Sequence, residues 1–160
     1  MKVVVAVPGR IRPRALEAGE TVYEERLRAA RVEVVRYRPG KVRAGEESLA
    51  RAREGAALLK QVGKDDFLVV CDERGALVST EDVVRWLGAA RSGTGLLQGR
   101  KRLLVMMGGA YGFDEAVRER ADAVWSLSGL VMAGGVARVV LLEALYRAAM
   151  VLDGHPYHNE

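Results

Sequence analysis

Three short segments hold the residues best placed to bind a ligand. The clearest is Leu103-Leu104-Val105-Met106-Met107-Gly108-Gly109-Ala110-Tyr111-Gly112, an apolar strand-like run that empties into a glycine turn just before Phe113-Asp114. Glycine lets backbone approach a ligand closely, and the following helix offers its positive end to a carboxylate or phosphate. In open α/β sheets ligands sit beyond the carboxyl ends of the strands. The spacing is neither G-x-G-x-x-G nor a P-loop, so it does not indicate a dinucleotide or nucleoside triphosphate. Alone, such a loop is as often a plain tight turn. Two more strand ends, Cys71-Asp72-Glu73-Arg74-Gly75 and Leu127-Ser128-Gly129-Leu130, have the same form. Three of them at one sheet edge make a cleft.

Nucleophilic catalysis is poorly represented. No Ser/His/Asp or Cys/His arrangement can be drawn, and Cys71 at a strand end reads as a small buried hydrophobe. Both histidines fall in the terminal His155-Pro156-Tyr157-His158. Without carboxylate or cysteine companions they make a poor metal site. Imidazole and phenol suit stacking and hydrogen bonding to RNA, and the competing reading is a frayed terminus.

Positioning these loops requires an α/β layer fold, and the pattern supplies one: short β-branched runs alternate with longer helical stretches, giving a mostly parallel sheet with helices on both faces. Strands are expected over 2–7, 32–37, 67–71, 102–107 and 123–127, and helices over about 14–30, 46–61, 80–90, 114–121 and 135–152. Ser79 is placed to cap the third helix, with Asp82 in its first turn. The segment 91–100 reads as the one flexible loop. No repeat or linker divides the chain, so a single domain over 1–160 is expected.

The last helix is unusual, because its only charges are Arg138, Glu143 and Arg147. Glu143 and Arg147 form an i,i+4 pair, whereas Arg138 lies about 180° from Arg147 and projects from an otherwise apolar surface. A helix apolar almost all round is buried on both sides. In a chain this small, a second copy is the expected partner, with a central helix of a monomer as the alternative.

Composition narrows the class. With 49% hydrophobic residues, 160 residues can bury a core without disulfides. The single cysteine fits a reducing compartment, and no stretch has the length of a secretory signal or a spanning helix, so a cytoplasmic protein without membrane contact is expected. A net charge of +4 mildly favours a polyanionic partner, with basic runs around Arg10 to Arg14, Arg26 to Arg31, Arg36 to Arg43 and Arg100 to Arg102.

The segments Trp125-Ser126-Leu127-Ser128, Arg138-Val139-Val140-Leu141-Leu142-Glu143-Ala144-Leu145-Tyr146-Arg147-Ala148 and His155-Pro156-Tyr157-His158 together resemble the C-terminal half of the RlmH family of SPOUT methyltransferases. Gly-Gly-x-x-Gly at Gly108 to Gly112, the opening Val5-Ala6-Val7-x-Gly9-Arg10, and Tyr23 followed by Arg26-Leu27 extend the likeness over the whole chain, most specifically after residue 103. The resemblance implies an α/β fold with a C-terminal trefoil knot, which periodicity alone never reveals. It also implies a homodimer and S-adenosylmethionine (S-adenosyl-L-methionine) as cofactor. The implied reaction is methylation of N3 of a pseudouridine in 23S ribosomal RNA, presented free, in the large subunit or in the assembled 70S ribosome.

Carried over by position, cofactor contacts fall at Cys71, Gly108, Leu127, Ser128, Gly129, Leu130, Val131 and Met132, the three strand ends already singled out. Arg138 is implied to orient the base or neutralise its anion, and Tyr157 and His158 to hold RNA or assist proton removal, across the dimer. No metal is implied. One departure stands out: the family pattern has Pro-His just before the final helix, and this chain has Ala133-Gly134. Retained activity is expected because Arg138, Tyr157 and His158 are present. The alternatives are a nucleotide-binding α/β enzyme using Gly108 to Gly112, and a non-catalytic RNA-binding assembly factor.

Overall fold

A computed structural model describes residues 1–159, with side chains through Tyr157. Five strands, β1 (Lys2–Pro8), β2 (Val32–Tyr37), β3 (Asp66–Leu77), β4 (Arg102–Met107) and β5 (Ala123–Ser126), form one sheet in the order β2-β1-β4-β3-β5. Every pairing is parallel. Val34, Val5, Val105 and Val69 align across four adjacent strands and pin the register. Such continuous β-branched runs suit a sheet buried on both faces.

Alternation of side chains sends Val3, Val5, Val7, Val69, Leu103 and Val105 to one face and Val4, Ala6, Leu68, Val70, Leu104 and Met106 to the other. Helices α1 (Arg14–Ala29), α3 (Thr80–Ser92) and α5 (Gly134–Leu152) cover the first face; α2 (Glu47–Leu59) and the short α4 (Glu115–Arg120) cover the second. Leu27, Leu87, Leu141, Leu142 and Leu145 are buried in the first layer, each contributing roughly 1.5–3 kcal/mol of apolar burial. Ser79 and Asp82 form a reciprocal capping box at the start of α3, at 3.2 and 2.8 Å.

The expected strands and helices are all present, with shifted ends. The largest difference is β3, which runs on past Cys71 to Leu77 through a bulge between Cys71 and Ala76 before re-pairing with β5. Residues 71–75 are therefore a bulged strand, not the free loop expected. The bulge depends on glycine: a Cβ at Gly75 would sit 2.6 Å from the Val124 carbonyl oxygen. The segment 91–100 is also anchored more firmly than expected, since its 3-10 turn Gly95–Leu97 buries Leu97 completely.

Strand order explains where a cleft must open. The chain leaves β1 toward α1 on one face and leaves the adjacent β4 toward α4 on the other, so the loops diverge above their carboxyl ends. After β5, at one edge of the sheet, residues 127–133 travel back over the ends of β3 and β4 to start α5 beside the end of β1. Gly135 makes that docking possible, because a Cβ there would meet Ile11 and Leu16 at 3.1 Å.

Candidate cofactor and substrate cleft

A cleft of about 880 Å³ opens at the carboxyl ends of the strands. Cys71, Gly108, Leu127, Ser128, Leu130, Val131 and Met132 line it, and the exposed Gly129 lies on the same loop. The three strand ends singled out from sequence thus meet in one place. The wall 127–132 is shaped internally: Ser126 Oγ donates to the Ser128 carbonyl at 3.0 Å, and Ser128 Oγ accepts from the Leu130 amide at 2.9 Å. Leu130 and Val131 are 78% and 84% exposed. Two adjacent large apolar side chains so uncovered mark a surface that a ligand or partner covers.

Desolvation pushes the Cys71 thiol up to about 12, so it is uncharged at neutral pH and serves as wall, not nucleophile. Asp72, next along the bulge, accepts from Arg74 Nε and Nη2 at 2.8 Å, and Arg118 approaches at 3.6 Å. The Arg74 hydrogen bonds hold its carboxyl below the usual range despite partial burial. Opposite, Tyr37 Oη donates to the Met107 carbonyl at 2.7 Å, tying the end of β2 to the end of β4. Burial first, and the nearby Glu54 carboxylate second, push this phenol well above its ordinary value.

Arg138 lies at the floor of the cleft but does not project freely from an apolar surface, as its helical position suggested. It is 5% exposed; its Nη1 donates to Glu20 Oε1 and to the Gly9 carbonyl, both at 3.0 Å, and its Nη2 to the Pro8 carbonyl. Glu20 is 1% exposed. The reason is mutual: an isolated charge cannot be buried, so Arg138 and Glu20 are buried as a pair with backbone acceptors.

Sequence reasoning overlooked Glu20, although a signal existed. Leu16, Glu20, Tyr23 and Leu27 recur at helical spacing on α1, and an acidic residue in that apolar stripe needs a cation from elsewhere. Arg138, on an otherwise apolar helix face, is that cation.

Tyr157 is not in this cleft. It lies beyond the far end of α5, where its hydroxyl is 3.3 Å from those of Tyr23 and from Glu143 Oε1, and its ring stands edge-on to Tyr146. Arg147 Cζ is 5.0 Å from its ring centroid. Desolvation, then the Tyr23 and Glu143 contacts, push its phenol well above the ordinary value, so it is neutral around pH 7. His158 falls within the final 3-10 turn Pro156–Asn159, but its side chain lies outside the described residues. A single chain therefore separates Arg138 from Tyr157 by the length of α5.

Among the described residues no group of His, Cys, Asp and Glu has the arrangement of a metal site, and no helix is long and apolar enough to cross a membrane.

An all-parallel sheet with a backbone-lined cleft over its strand ends and a final helix docked by a returning loop defines a class, and the sequence falls within it. Residues 1–158 match the family described as predicted SPOUT methyltransferase, and the chain belongs to that family. It is similar over nearly its whole length to proteins named ribosomal RNA large subunit methyltransferase H. That of Syntrophotalea carbinolica is 33% identical, covering 99% of both chains. That of Gloeobacter violaceus is 34% identical with the same coverage, and that of Methylobacillus flagellatus 34% identical over 100% of both.

Proposed function

We propose that this chain, as one methyltransferase domain over residues 1–160, transfers a methyl group from S-adenosylmethionine to N3 of a pseudouridine in 23S ribosomal RNA. The observation that carries the reading is the meeting of Cys71, Gly108 and 127–132 in one cleft of a family member whose relatives bear that ribosomal RNA methyltransferase name.

The residues present fit the cofactor. Leu127, Leu130, Val131, Met132 and Met107 offer apolar surface for adenine and a thioether chain, Gly108 keeps the strand end open, and the backbone at 108 and 127–132 is placed to supply polar contacts. When bound, S-adenosylmethionine supplies an electrophilic methyl on its sulfonium. The chain's own task is to hold the attacking nitrogen in line and exclude water. Arg138 fixes the cleft floor by clamping Pro8, Gly9 and Glu20, so it positions base and cofactor walls relative to each other. With the Cys71 thiol and the Tyr157 phenol both neutral, neither is the base for the N3 proton.

The active form is read as a homodimer. Val136, Val140, Ala144 and Val151 share the outward stripe of α5, interrupted by the Glu143–Arg147 pair at 2.7 Å. Antiparallel packing of two such helices about a two-fold would bring the Tyr157–His158 tail of one protomer toward the Arg138 end of its partner. A C-terminal trefoil knot is what family membership implies, and the close seat of Gly135, at the start of α5, on Ile11, Arg12 and Leu16 is compatible with it. A ribosomal substrate and a lone unpaired cysteine support a cytoplasmic location.

The test is calorimetry with S-adenosylmethionine followed by methyl transfer to unmodified ribosomes. Saturable binding and one methyl on a pseudouridine are expected. No binding at millimolar cofactor defeats the proposal.

A further inference from the structure

The sheet edge opposite β5 lies across the cleft from the 127–132 wall and holds a dense set of like charges. The loop after β1 carries Arg10 and Arg12 and leads into Arg14 at the start of α1; the loop after β2 carries Arg38, Lys41 and Arg43; between positions 9 and 14 and between 38 and 45 there is no acidic residue. All six side chains belong to exposed residues. The loops are neighbours: the Gly9 amide donates to the Tyr37 carbonyl at 2.8 Å, and Arg10, Arg12, Pro39, Gly40 and Val42 line the same cleft.

Three observations separate this rim from an ordinary solvated face. First, its six cations exceed the chain's net charge of +4, so the rest of the protein is net acidic. Second, Arg10 pairs with Glu17 at 2.9 Å, but Arg12, Arg14, Arg38, Lys41 and Arg43 make no ion pair among the described residues. Cations elsewhere, such as Arg28, Arg31 and Arg53, also make no ion pair among the described residues, so what marks the rim is the gathering of five such cations on two neighbouring segments at the cleft. Third, Arg14 is the first residue of α1, where the helix dipole disfavours a cation. Like charges gathered at an unfavourable place without counter-ions reduce stability and suit a polyanion held from outside.

We propose that Arg10, Arg12, Arg14, Arg38, Lys41 and Arg43 form a phosphate-binding rim, so that the RNA backbone reaches the cleft over the β1–β2 edge while the cofactor occupies the side walled by 127–132. This rests on the reading of the protein as an RNA methyltransferase and adds the direction of approach. The reacting base then enters between the two loops toward Gly108 and Arg138, with the phosphates left outside on the rim.

The experiment measures binding of transcribed 23S ribosomal RNA over a series of KCl concentrations for the wild type, for R14Q/R38Q/K41Q/R43Q, and for a control, K60Q/K64Q. Lys60 and Lys64 lie at the opposite end of the sheet, before the start of β3. For the rim variant, affinity should fall at least tenfold, with the slope of log affinity against log salt reduced by about 0.7–0.9 for each lost phosphate contact. S-adenosylmethionine affinity should be unchanged, and the control should match wild type. An unchanged slope in the rim variant, or an equal loss in the control, overturns the rim. Failure of the wild type to bind S-adenosylmethionine instead defeats the methyltransferase reading, and the salt slopes still decide whether the rim holds RNA.

Discussion

Arg138 and Glu20, 118 positions apart, form an ion pair at 3.0 Å with both side chains almost wholly withdrawn from solvent. The pair joins the start of α5 to the middle of α1, and the same guanidinium holds the carbonyls at the end of β1. Removing Glu20 leaves the Arg138 charge buried without a carboxylate, and removing Arg138 leaves Glu20 only the more exposed Arg36, at 3.5 Å. Glu20→Ala and Arg138→Ala should each destabilise the fold by about 3–5 kcal/mol. The double variant Glu20→Leu/Arg138→Met should lose much less than the sum. Urea unfolding in a double-mutant cycle checks this, and additive losses would show that the two groups act separately.

A bulged strand that admits no side chain gives a second prediction. Gly75→Ala should cost about 1–3 kcal/mol through displacement of the β5 backbone. The loss should show as a lower thermal midpoint and weaker S-adenosylmethionine binding, since β5 leads directly into the 127–132 wall. A variant with wild-type midpoint would mean the bulge relaxes without disturbing β5.

Cys71 offers a chemical test. With its thiol pushed up to about 12, it should react with iodoacetamide at pH 8 on the order of a thousandfold more slowly than a free cysteine, accelerating as pH rises. Cys71→Ala should retain methyl transfer. Fast alkylation near neutrality would contradict its place as an uncharged wall.

Acid stability follows from Asp66. Burial alone would raise its pKa, but hydrogen bonds from Arg102 and from the Gly63 amide, at 2.7 Å for the latter, bring it below the ordinary carboxylate value. A depressed folded pKa contributes stability that is complete above the unfolded value, near 4, and is lost as pH falls through the folded value. Asp66→Asn should lower stability at pH 7 by about 1–3 kcal/mol and flatten its decline between neutrality and acid. Thermal midpoints across pH settle this; parallel curves for the two proteins would remove Asp66 from the acid response.

If one protomer's tail serves its partner's cleft, two inactive variants should rescue each other. Mixing Arg138→Ala with a chain ending before Tyr157, under subunit exchange, should restore activity approaching about one quarter of wild type. No recovery, with heterodimer formation verified, would place each site within one chain.

These expectations show how far the residues themselves could be read. The strands were visible because Val3 to Val7, Phe67 to Val70 and Leu103 to Met107 are continuous apolar runs, and the strand ends because glycine or polar residues stop them. The bulge of β3 was not visible, because Asp72-Glu73-Arg74 looks like a loop in one dimension, and only the renewed pairing of Ala76 and Leu77 with β5 makes the segment part of a longer strand. The Arg138–Glu20 clamp depended on two helices distant in sequence, each carrying one ill-fitting charge. The return of 127–133 across the sheet likewise leaves no periodic trace.

The most direct test of the account is mass spectrometry of 23S ribosomal RNA from unmodified ribosomes incubated with the purified protein and S-adenosylmethionine. One methyl at N3 of a single pseudouridine, absent without cofactor, is the predicted result; no added methyl on ribosomal RNA, from a protein shown to be folded and cofactor-bound, would contradict it.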